Sequence, residues 1–190
     1  MNPIIGIDLD DVIWNTLEAW LKRYNEITDD DIEVSDVKSW DIAQYIKKGN
    51  REMLFYVLEQ NDFWETVQPK NDSQRVLKQL IDDGYDVYIV TASGYKNLHK
   101  KMERLFELYP FLNFSNVIIT RTKQMIDLDV LIDDNPENLC EGSYKKVLFD
   151  RPHNQWCAEK NIGATRVSSW DQIYDYIKEK EPIVKCCIGR

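Results

Sequence analysis

Three aspartates follow the first apolar stretch of the chain within a window of four residues. The stretch is IIGIDLDDV, and it ends in Asp8, Asp10 and Asp11. Carboxylates this close together repel one another unless they share a cation or a proton. If the strand continues as far as Asp10, Asp8 and Asp10 lie on one face of it and address one pocket. The spacing therefore indicates a functional site.

Polar residues also follow later apolar runs. Thr91 follows VYIV, Arg121 and Lys123 come shortly after VIIT, and Asp133 and Asp134 follow VLI. Carboxylates with few soft ligands nearby suit a hard cation, and Mg²⁺ is the usual choice. Carboxylates, a hydroxyl, an ammonium group and Mg²⁺ are what phosphoryl transfer requires, and an aspartate can be the nucleophile.

The apolar runs before these residues are short and rich in β-branched side chains. Such runs, with helical patterns between them, are typical of parallel strands buried on both faces. A fifth run, VLF, ends at Asp150. The sequence therefore predicts an α/β fold with a doubly wound, mainly parallel sheet. Ligands bind outside the carboxyl ends of the strands in such sheets, where the polar residues fall.

About seventy residues separate the first strand from the second, which begins near Asp86, whereas a simple crossover needs about 10 to 12. Helical spacing of apolar residues extends from Asn15 to Ile27 and again from Ile42 to Glu59, interrupted at Gly49 and Asn50. We therefore expect a small helical cap to be inserted after the first strand.

Further helices should return the chain to the sheet. One follows Asn71 and Asp72 and stops at Gly84, and a second precedes Pro110. Ser169 and Gln172 form a capping-box pattern, which predicts a last helix from Trp170 to Lys180. The predicted domains are a catalytic core of residues 1–14 and 71–181, a helical cap of residues 15–70 and a flexible tail of residues 182–190.

Composition excludes several classes of protein. The 190 residues, 43% of them hydrophobic, can bury a sizeable core, and the net charge of -9 disfavours binding to a nucleic acid polymer. No apolar run reaches the ~18 residues of a membrane span, and the first strand leaves no room for a signal peptide, so we expect a cytoplasmic protein. The four cysteines and two histidines have no metal-binding spacing, which leaves free thiols and does not indicate zinc. The oligomeric state stays open, with a homodimer as one alternative.

Four motifs in order give the chain a resemblance to a known superfamily. The segment DLDDV, the strand-terminal Thr91, Lys123 and the segment LIDD resemble the four motifs of the haloacid dehalogenase (HAD) superfamily of phosphatases. The stretches NDFWETVQP, ITRTKQMIDLDVLIDDNPEN and VLFDRPHNQ resemble the 5′(3′)-deoxyribonucleotidases of that superfamily. The resemblance covers most of the chain from Ile4 to Lys180.

The resemblance implies a role for each motif residue. Asp8 is then the nucleophile, and Asp10 protonates the leaving oxygen and afterwards activates water. Mg²⁺ is held by Asp8, the backbone carbonyl of Asp10 and Asp134, with Asp133 in support, although the roles of Asp133 and Asp134 can be exchanged. Phosphate is contacted by Thr91, the amide of Ala92, Lys123 and Arg121.

Two positions depart from the pattern of the nucleotidases. Nucleotidases of this group commonly have glycine after the second aspartate, where this chain has Asp11. They often carry a second hydroxyl residue after the motif threonine, where this chain has Ala92. We therefore expect rearranged contacts to phosphate within an unchanged reaction class.

The predicted cap is rich in aromatic residues, most of which should form its core. That role is expected for Trp20, Phe55 and Tyr56. A nucleobase needs a flat apolar surface to stack on. By resemblance to the nucleotidases, the residues expected to contact the base are Trp40, Phe63 and Trp64.

The sequence thus predicts a Mg²⁺-dependent phosphatase that hydrolyses nucleoside monophosphates, preferably deoxyribonucleotides, through an aspartyl-phosphate. Two alternatives stay open. One is a phosphatase of the same superfamily acting on another small phosphomonoester. The other is a non-catalytic nucleotide-binding protein of the same fold.

Overall fold

One parallel sheet organises the protein. The computed structural model describes residues 2–47, 49–94 and 96–183. Its six strands are β1 (Ile4–Ile7), β2 (Asp86–Thr91), β3 (Val117–Ile119), β4 (Val130–Asp133), β5 (Lys145–Phe149) and β6 (Ala164–Val167). All pair in parallel in the order β3-β2-β1-β4-β5-β6. This confirms the doubly wound α/β fold and adds β6, a half-exposed edge strand, to the five predicted.

Helices connect the strands. The α-helices are α1 (Thr16–Ile27), α2 (Arg51–Leu58), α3 (Phe63–Thr66), α4 (Ser73–Asp83), α5 (Leu98–Leu108), α6 (Pro136–Cys140), α7 (Glu159–Ile162) and α8 (Trp170–Lys180). Short 3-10 turns cover Val34–Asp36, Ile42–Gln44, Phe114–Asn116, Lys123–Met125 and Pro152–Asn154. The helical stretch predicted over 42–59 is interrupted at Gly49 and Asn50, as expected, but its first part is helical only as the short 3-10 turn Ile42–Gln44. Gly49 has a φ of 105°, which a right-handed helix does not accommodate.

Both faces of the sheet are buried. Neighbouring residues of β2 and β4 point to opposite sides, so Ile89 and Ile132 join the larger core while Val90 and Leu131 join a smaller one. Gly6 lies in β1 at the centre of the sheet. A Cβ atom there would come within 2.5 Å of the Leu128 side chain, so the close packing of this strand requires glycine.

The ends of the predicted helices follow their capping signals. Gly84 ends α4 with a φ of 101°. Ser169 accepts a hydrogen bond from the backbone of Gln172 and so caps α8, whose limits agree with the prediction. The Gln172 side chain accepts its return hydrogen bond from Ser168, one residue before the position that a capping box would use.

The segment between β1 and α4 begins and ends at neighbouring positions beside the sheet. Trp14 and Pro69 form an antiparallel bridge, and the Lys70 amide donates to the Ile13 carbonyl at 2.8 Å. Of the described residues between these points, none belongs to the sheet, and α1, α2 and α3 lie there. The segment is therefore joined to the rest of the protein by two chain connections that lie next to each other.

The end of the chain is described as far as Ile183. Most of the predicted tail, with Cys186 and Cys187, lies outside the described residues. Cys140 and Cys157 are free thiols. Within the ranges that the structure describes, every helix is too short or too polar to cross a lipid bilayer.

Candidate active site

The predicted site residues meet at the carboxyl edge of the sheet. From β1 the strand order runs to one side of the sheet through β2 and β3, and to the other side through β4, β5 and β6. Ligands of doubly wound folds bind at the switch point where these two directions meet. A cavity of about 690 Å³ opens there between the sheet and the segment containing α1, α2 and α3. Its lining includes Asp8, Asp10, Lys123, Asp133 and Asp134.

Asp8 reaches this cavity directly from the strand, and Asp10 does not. Strand β1 ends at Ile7, so the alternation expected to carry Asp10 to the same face is absent. A turn places Asp10 at the cavity instead, because the amides of Ile13 and Trp14 both donate to the Leu9 carbonyl at 3.1 Å. The predicted shared pocket is thus observed for a different geometric reason.

Three buried carboxylates surround one ammonium group. Carboxylate oxygens of Asp8, Asp133 and Asp134 all lie within 4.8 Å of one another. The Lys123 Nζ atom donates to Asp8 and, at 2.6 Å, to Asp133. When all three carboxylates are ionised, the ammonium group balances one of their negative charges, which leaves a local excess of two.

The carboxylates of Asp133 and Asp134 differ in how many protein donors they receive. Asp133 accepts from Lys123, from the Asn135 amide at 2.8 Å and from the Asn138 side chain. Among the described residues, the Asp134 carboxyl group has one side-chain hydrogen-bond partner, the His153 Nε2 atom at 2.8 Å. Asp134 therefore has more lone pairs free for a further ligand than Asp133.

Burial shifts the titration of this cluster. It raises the pKa of Asp8 well above its ordinary value, and the surrounding aspartates add to this while Lys123 opposes it. Burial, assisted by Asp11 and Asp133, also raises the pKa of Asp134. Burial lowers the pKa of His153 to about 4, so the imidazole is neutral and shares one hydrogen bond with the Asp134 carboxyl group.

The donor set of this cluster fits a hard divalent cation. Three buried carboxylates provide oxygen ligands alone, at a spacing that one ion can bridge. A divalent ion would also balance the two excess charges. His153 shares a hydrogen bond with Asp134, and residues that hydrogen-bond a metal ligand in this way fix its orientation.

The residues predicted to bind phosphate are divided between the cavity surface and the layer beneath it. Ala92, Arg121 and Lys123 line the cavity. Thr91 is fully buried, and its hydroxyl lies 3.1 Å from the Nζ atom of Lys101. Lys101 lines the cavity itself, so an unpredicted cation stands beside the motif threonine.

Asp11 explains the first departure from the nucleotidase pattern. Its φ is 57°, in the left-handed region that glycine adopts most easily and aspartate tolerates. Its carboxylate accepts from the Leu17 amide, at the start of α1, and from Arg151 at 3.3 Å. Asp11 thus keeps the backbone conformation of a glycine and links the loop after β1 to the start of α1 and to the loop after β5.

The aromatic residues differ from expectation in several places. Trp40 lines the cavity, is 40% exposed and packs against His153, with ring centroids 4.4 Å apart and ring planes tilted by 40°. Trp64 also lines it. Phe63 was wrongly predicted to contact a base, because it is fully buried and packs edge-on against Trp64. Phe55 was wrongly assigned to the core, because it is 60% exposed and lines the cavity.

One further expectation about the aromatic residues needs correction, and another is incomplete. Tyr56 was also assigned to the core but is 50% exposed. Trp20 is half-buried, as a core residue would be, but it lines the cavity as well. The cavity wall therefore has more aromatic surface than the sequence predicted.

Lys101, His153 and Asn138 are site residues that sequence reasoning did not identify. For Lys101 a signal exists, because it lies on the apolar stripe of α5 formed by Leu98, Met102 and Leu105. His153 lies in the loop VLFDRPHNQ, which supports the resemblance but does not reveal a contact to Asp134. Asn138 carries no distinguishing signal.

Comparison with known sequences adds independent findings. The chain matches the model of the family described as 5' nucleotidase, deoxy (pyrimidine), cytosolic type C, over residues 2–182. It is 38% identical over 154 residues to a 5'(3')-deoxyribonucleotidase of Clostridium acetobutylicum, covering 80% of this chain and 84% of the relative. It is 33% identical over 175 residues to a 5'(3')-deoxyribonucleotidase of Bacillus subtilis, covering 91% and 97%.

Solved structures share the fold at low sequence identity. A HAD family hydrolase from Deinococcus radiodurans R1, with bound phosphate and sodium, has a TM-score of 0.62 at 13% identity and covers 94% of this chain and 96% of its own. A HAD hydrolase from Bacillus subtilis bound to magnesium has a TM-score of 0.60 at 14% identity, covering 93% and 98%. The HAD-like architecture predicted from the four motifs is confirmed.

Proposed function

Because this chain belongs to the 5' nucleotidase, deoxy (pyrimidine), cytosolic type C family, we propose that it hydrolyses deoxyribonucleoside monophosphates to nucleoside and phosphate. The reaction is Mg²⁺-dependent and passes through an aspartyl-phosphate on Asp8. The membership makes the chain a phosphomonoester hydrolase. The description of the family as cytosolic supports action in the cytoplasm.

One observation carries this proposal. Asp8 lies at the floor of a cavity, pairs with Lys123 and stands within reach of Asp133 and Asp134. A carboxylate nucleophile, a cation to offset phosphoryl charge and a cluster fit for a divalent ion are thus collected at one point. These are the parts that phosphoryl transfer to an aspartate needs.

In the first step the Asp8 carboxylate attacks phosphorus. A bond forms between the Asp8 oxygen and phosphorus while the bond from phosphorus to the nucleoside oxygen breaks. Asp10, which lies two residues away and lines the same cavity, gives its proton to the leaving oxygen. Lys123 and Arg121 offset the charge of the phosphoryl oxygens, and the Ala92 amide donates to one of them.

In the second step water hydrolyses the aspartyl-phosphate. Asp10, now deprotonated, takes a proton from the attacking water. The bond between the Asp8 oxygen and phosphorus breaks, which releases phosphate and regenerates the carboxylate. Each aspartate ends the cycle as it began.

We assign the metal site to Asp8, Asp134 and the backbone carbonyl of Asp10. Asp133 supports it through Lys123 and two asparagines, because its oxygens already accept several hydrogen bonds. Bound Mg²⁺ neutralises phosphoryl charge that the protein's own cations do not balance. The magnesium-bound HAD hydrolase of Bacillus subtilis supports this choice of ion.

Mg²⁺ is expected to stabilise the folded protein, since an ion that binds only the native state contributes about 2.7 kcal/mol at 100 times its Kd. For a chain of this size that corresponds to a rise in Tm of about 5 to 10 °C. Because the pKa values of Asp8 and Asp134 are raised, protons compete with the ion, and the rise should be larger near about pH 8 than near about pH 5.5. Differential scanning fluorimetry with Mg²⁺ or EDTA measures it. An Asp134→Asn variant that keeps the full rise would contradict the assignment.

We propose that residues 15–70 act as a cap over the catalytic core formed by 1–14 and 71–181. The bridge between Trp14 and Pro69 supports these limits, because both ends of the segment leave the sheet there. The cap contributes Trp20, Trp40 and Phe55 to the cavity wall. Closure of such a segment over a nucleotide would exclude water from the phosphate.

Trp40→Ala is expected to raise KM for deoxyribonucleotides about 10-fold, since stacking on an aromatic ring contributes about 1 to 3 kcal/mol per base. It should leave KM for deoxyribose 5-phosphate, which has no base, within about 2-fold. Steady-state kinetics on both substrates measures the difference. Phe114→Ala, at a 73% exposed residue outside the cavity lining, is the control. Equal effects on the two substrates would show that Trp40 does not contact the base.

The substrate class is tested with purified protein, Mg²⁺ and a panel of deoxynucleoside, ribonucleoside and sugar monophosphates. We expect the highest kcat/KM for a deoxynucleoside monophosphate. Faster turnover of a sugar phosphate would favour a HAD phosphatase of another small phosphomonoester. Binding without turnover of any substrate would favour a non-catalytic nucleotide-binding protein.

A further inference from the structure

Lys101 is a buried cation that the proposed reaction does not use. It lies on α5 with 1% of its surface exposed. An ammonium group is removed from water at high cost unless charged and polar partners replace its hydration. Three groups do so here: the Asp10 carboxylate at 2.5 Å, the Thr91 hydroxyl at 3.1 Å and the Trp64 ring, whose centroid is 5.1 Å away.

Both oxygens of the Asp10 side chain accept a hydrogen bond from the protein. The Thr16 hydroxyl donates to the Asp10 Oδ1 atom at 2.9 Å, and Lys101 donates to the Oδ2 atom. Asp10 follows β1, Thr16 begins α1 and Lys101 comes from α5, so three separate segments fix the carboxylate. Each oxygen keeps a lone pair for the cavity.

We propose that Lys101 is a positioning residue that holds the Asp10 carboxyl group, with its proton on a lone pair that the protein donors leave free, in the orientation from which it protonates the leaving oxygen. This inference rests on the proposed function. An ammonium group has three donors, of which the Asp10 carboxyl group and the Thr91 hydroxyl accept two, while the Trp64 ring covers the charge from a third direction. Lys101 therefore acts through Asp10 and leaves the phosphate to Lys123.

Bond making and breaking are unchanged by this role. The proton that reaches the nucleoside oxygen comes from Asp10, and the electron pair of the breaking bond to phosphorus stays on that oxygen. Lys101 gives and takes no proton. Its loss should therefore matter most where the leaving oxygen needs protonation.

The test compares Lys101→Met with the wild-type protein on two substrates, a deoxynucleoside monophosphate and p-nitrophenyl phosphate. The first leaves as a poor alkoxide that needs an acid, and the second leaves as a stable phenolate that does not. Because kcat/KM includes only steps up to departure of the leaving group, it isolates the acid role. A general acid contributes about 10² to 10⁴ in rate, so we expect about a 100-fold loss for the nucleotide and less than about a 5-fold loss for the aryl ester.

A double-mutant cycle tests whether Lys101 affects turnover through Asp10. Lys101→Met should cause little further loss of nucleotide turnover in an Asp10→Asn background, because the group it positions is already gone. Similar losses on both substrates, a full further loss in that background, or a raised inhibition constant for inorganic phosphate would overturn the proposal. Either of the first two results would mean that Lys101 acts by a route other than Asp10, and a raised inhibition constant would mean that it contacts phosphate.

Two more variants control for folding. Lys100→Met makes the same substitution one residue earlier on α5, where the side chain is a third exposed and pairs with Glu103, and should leave both activities unchanged. If Lys101→Met does not fold, Lys101→Gln keeps a neutral amide with two N–H donors and should show the same substrate selectivity with a smaller loss. Failure of the nucleotide assignment is distinguishable, because the comparison can be repeated with whichever alkyl phosphate the wild-type protein hydrolyses best.

Discussion

Asp8→Asn is expected to reduce turnover of every phosphate ester by about 10⁵-fold or more, as loss of an enzyme nucleophile does elsewhere. The amide cannot form the acyl phosphate, and neither Asp10 nor Asp134 can replace it without moving. The fold should persist, because Asn has nearly the volume of Asp and removes a charge that burial disfavours. Phosphate release under steady-state conditions measures the loss, and circular dichroism measures the fold.

A matched control for this variant is Asp150→Asn. Asp150 follows β5 as Asp8 follows β1, but it pairs with Arg166 and does not line the cavity. Its loss removes a partly exposed ion pair, which is worth about 1 kcal/mol or less, so activity should stay within about 2-fold of wild type. Rapidly quenched wild-type protein should carry a phosphoryl group on the peptide containing Asp8. A label on another residue would refute Asp8 as nucleophile.

The sheet was predictable because its strands are buried on both faces. Runs such as VYIV and VLI leave no polar face, and that pattern excludes most other structures. Strand β6 carries Thr165 and Arg166 and lies at the sheet edge, where burial no longer imposes an apolar run. Its pairing with β5 depends on contacts that no local pattern encodes.

The site residues at strand ends were predictable from the sequence, and those on helices were harder to identify. Asp8, Asp133 and Asp134 each end or directly follow a strand, so topology alone gathers them. Lys101 reaches the cavity from the first turn of α5 and not from the end of a strand, and the adjacent lysines at 100 and 101 give no sign of which one is buried until the apolar stripe is followed. Phe63 and Trp64 are also adjacent, and only packing decides that the second one lines the cavity.

Lys123→Met is expected to have the second large effect, on stability as well as on turnover. Removing one partner of a buried ion pair costs about 3 to 5 kcal/mol, because the remaining charges stay buried without compensation. Here Asp8 and Asp133 lose their shared donor while Asp134 lies beside them. Turnover should fall by about 10³-fold or more, because the same ammonium group offsets phosphoryl charge. Urea unfolding and phosphate release measure the two effects.

The stability loss caused by Lys123→Met should depend on pH, and the shifted pKa values determine the direction of that dependence. Burial lowers the pKa of Lys123, but Asp133 and Asp8 outweigh burial and raise it, so the wild-type group stays charged. In the variant the pKa values of the carboxylates rise further, and the folded state binds more protons than the unfolded state above the ordinary aspartate pKa of about 3.9. Stability then falls as pH rises, so the loss measured in EDTA should be larger near about pH 8 than near about pH 5.

Mg²⁺ separates the two roles of Lys123. The ion can restore stability to Lys123→Met by balancing the carboxylates, but it cannot restore a donor aimed at the Asp8 oxygen, so turnover should stay low while Tm recovers. Lys78→Met, which removes an exposed pair with Asp82, should cost less than about 0.5 kcal/mol and respond to neither pH nor Mg²⁺. If Lys123→Met is as stable as this control, the charge of the carboxylate cluster is balanced by other groups, and Lys123 serves the phosphate alone.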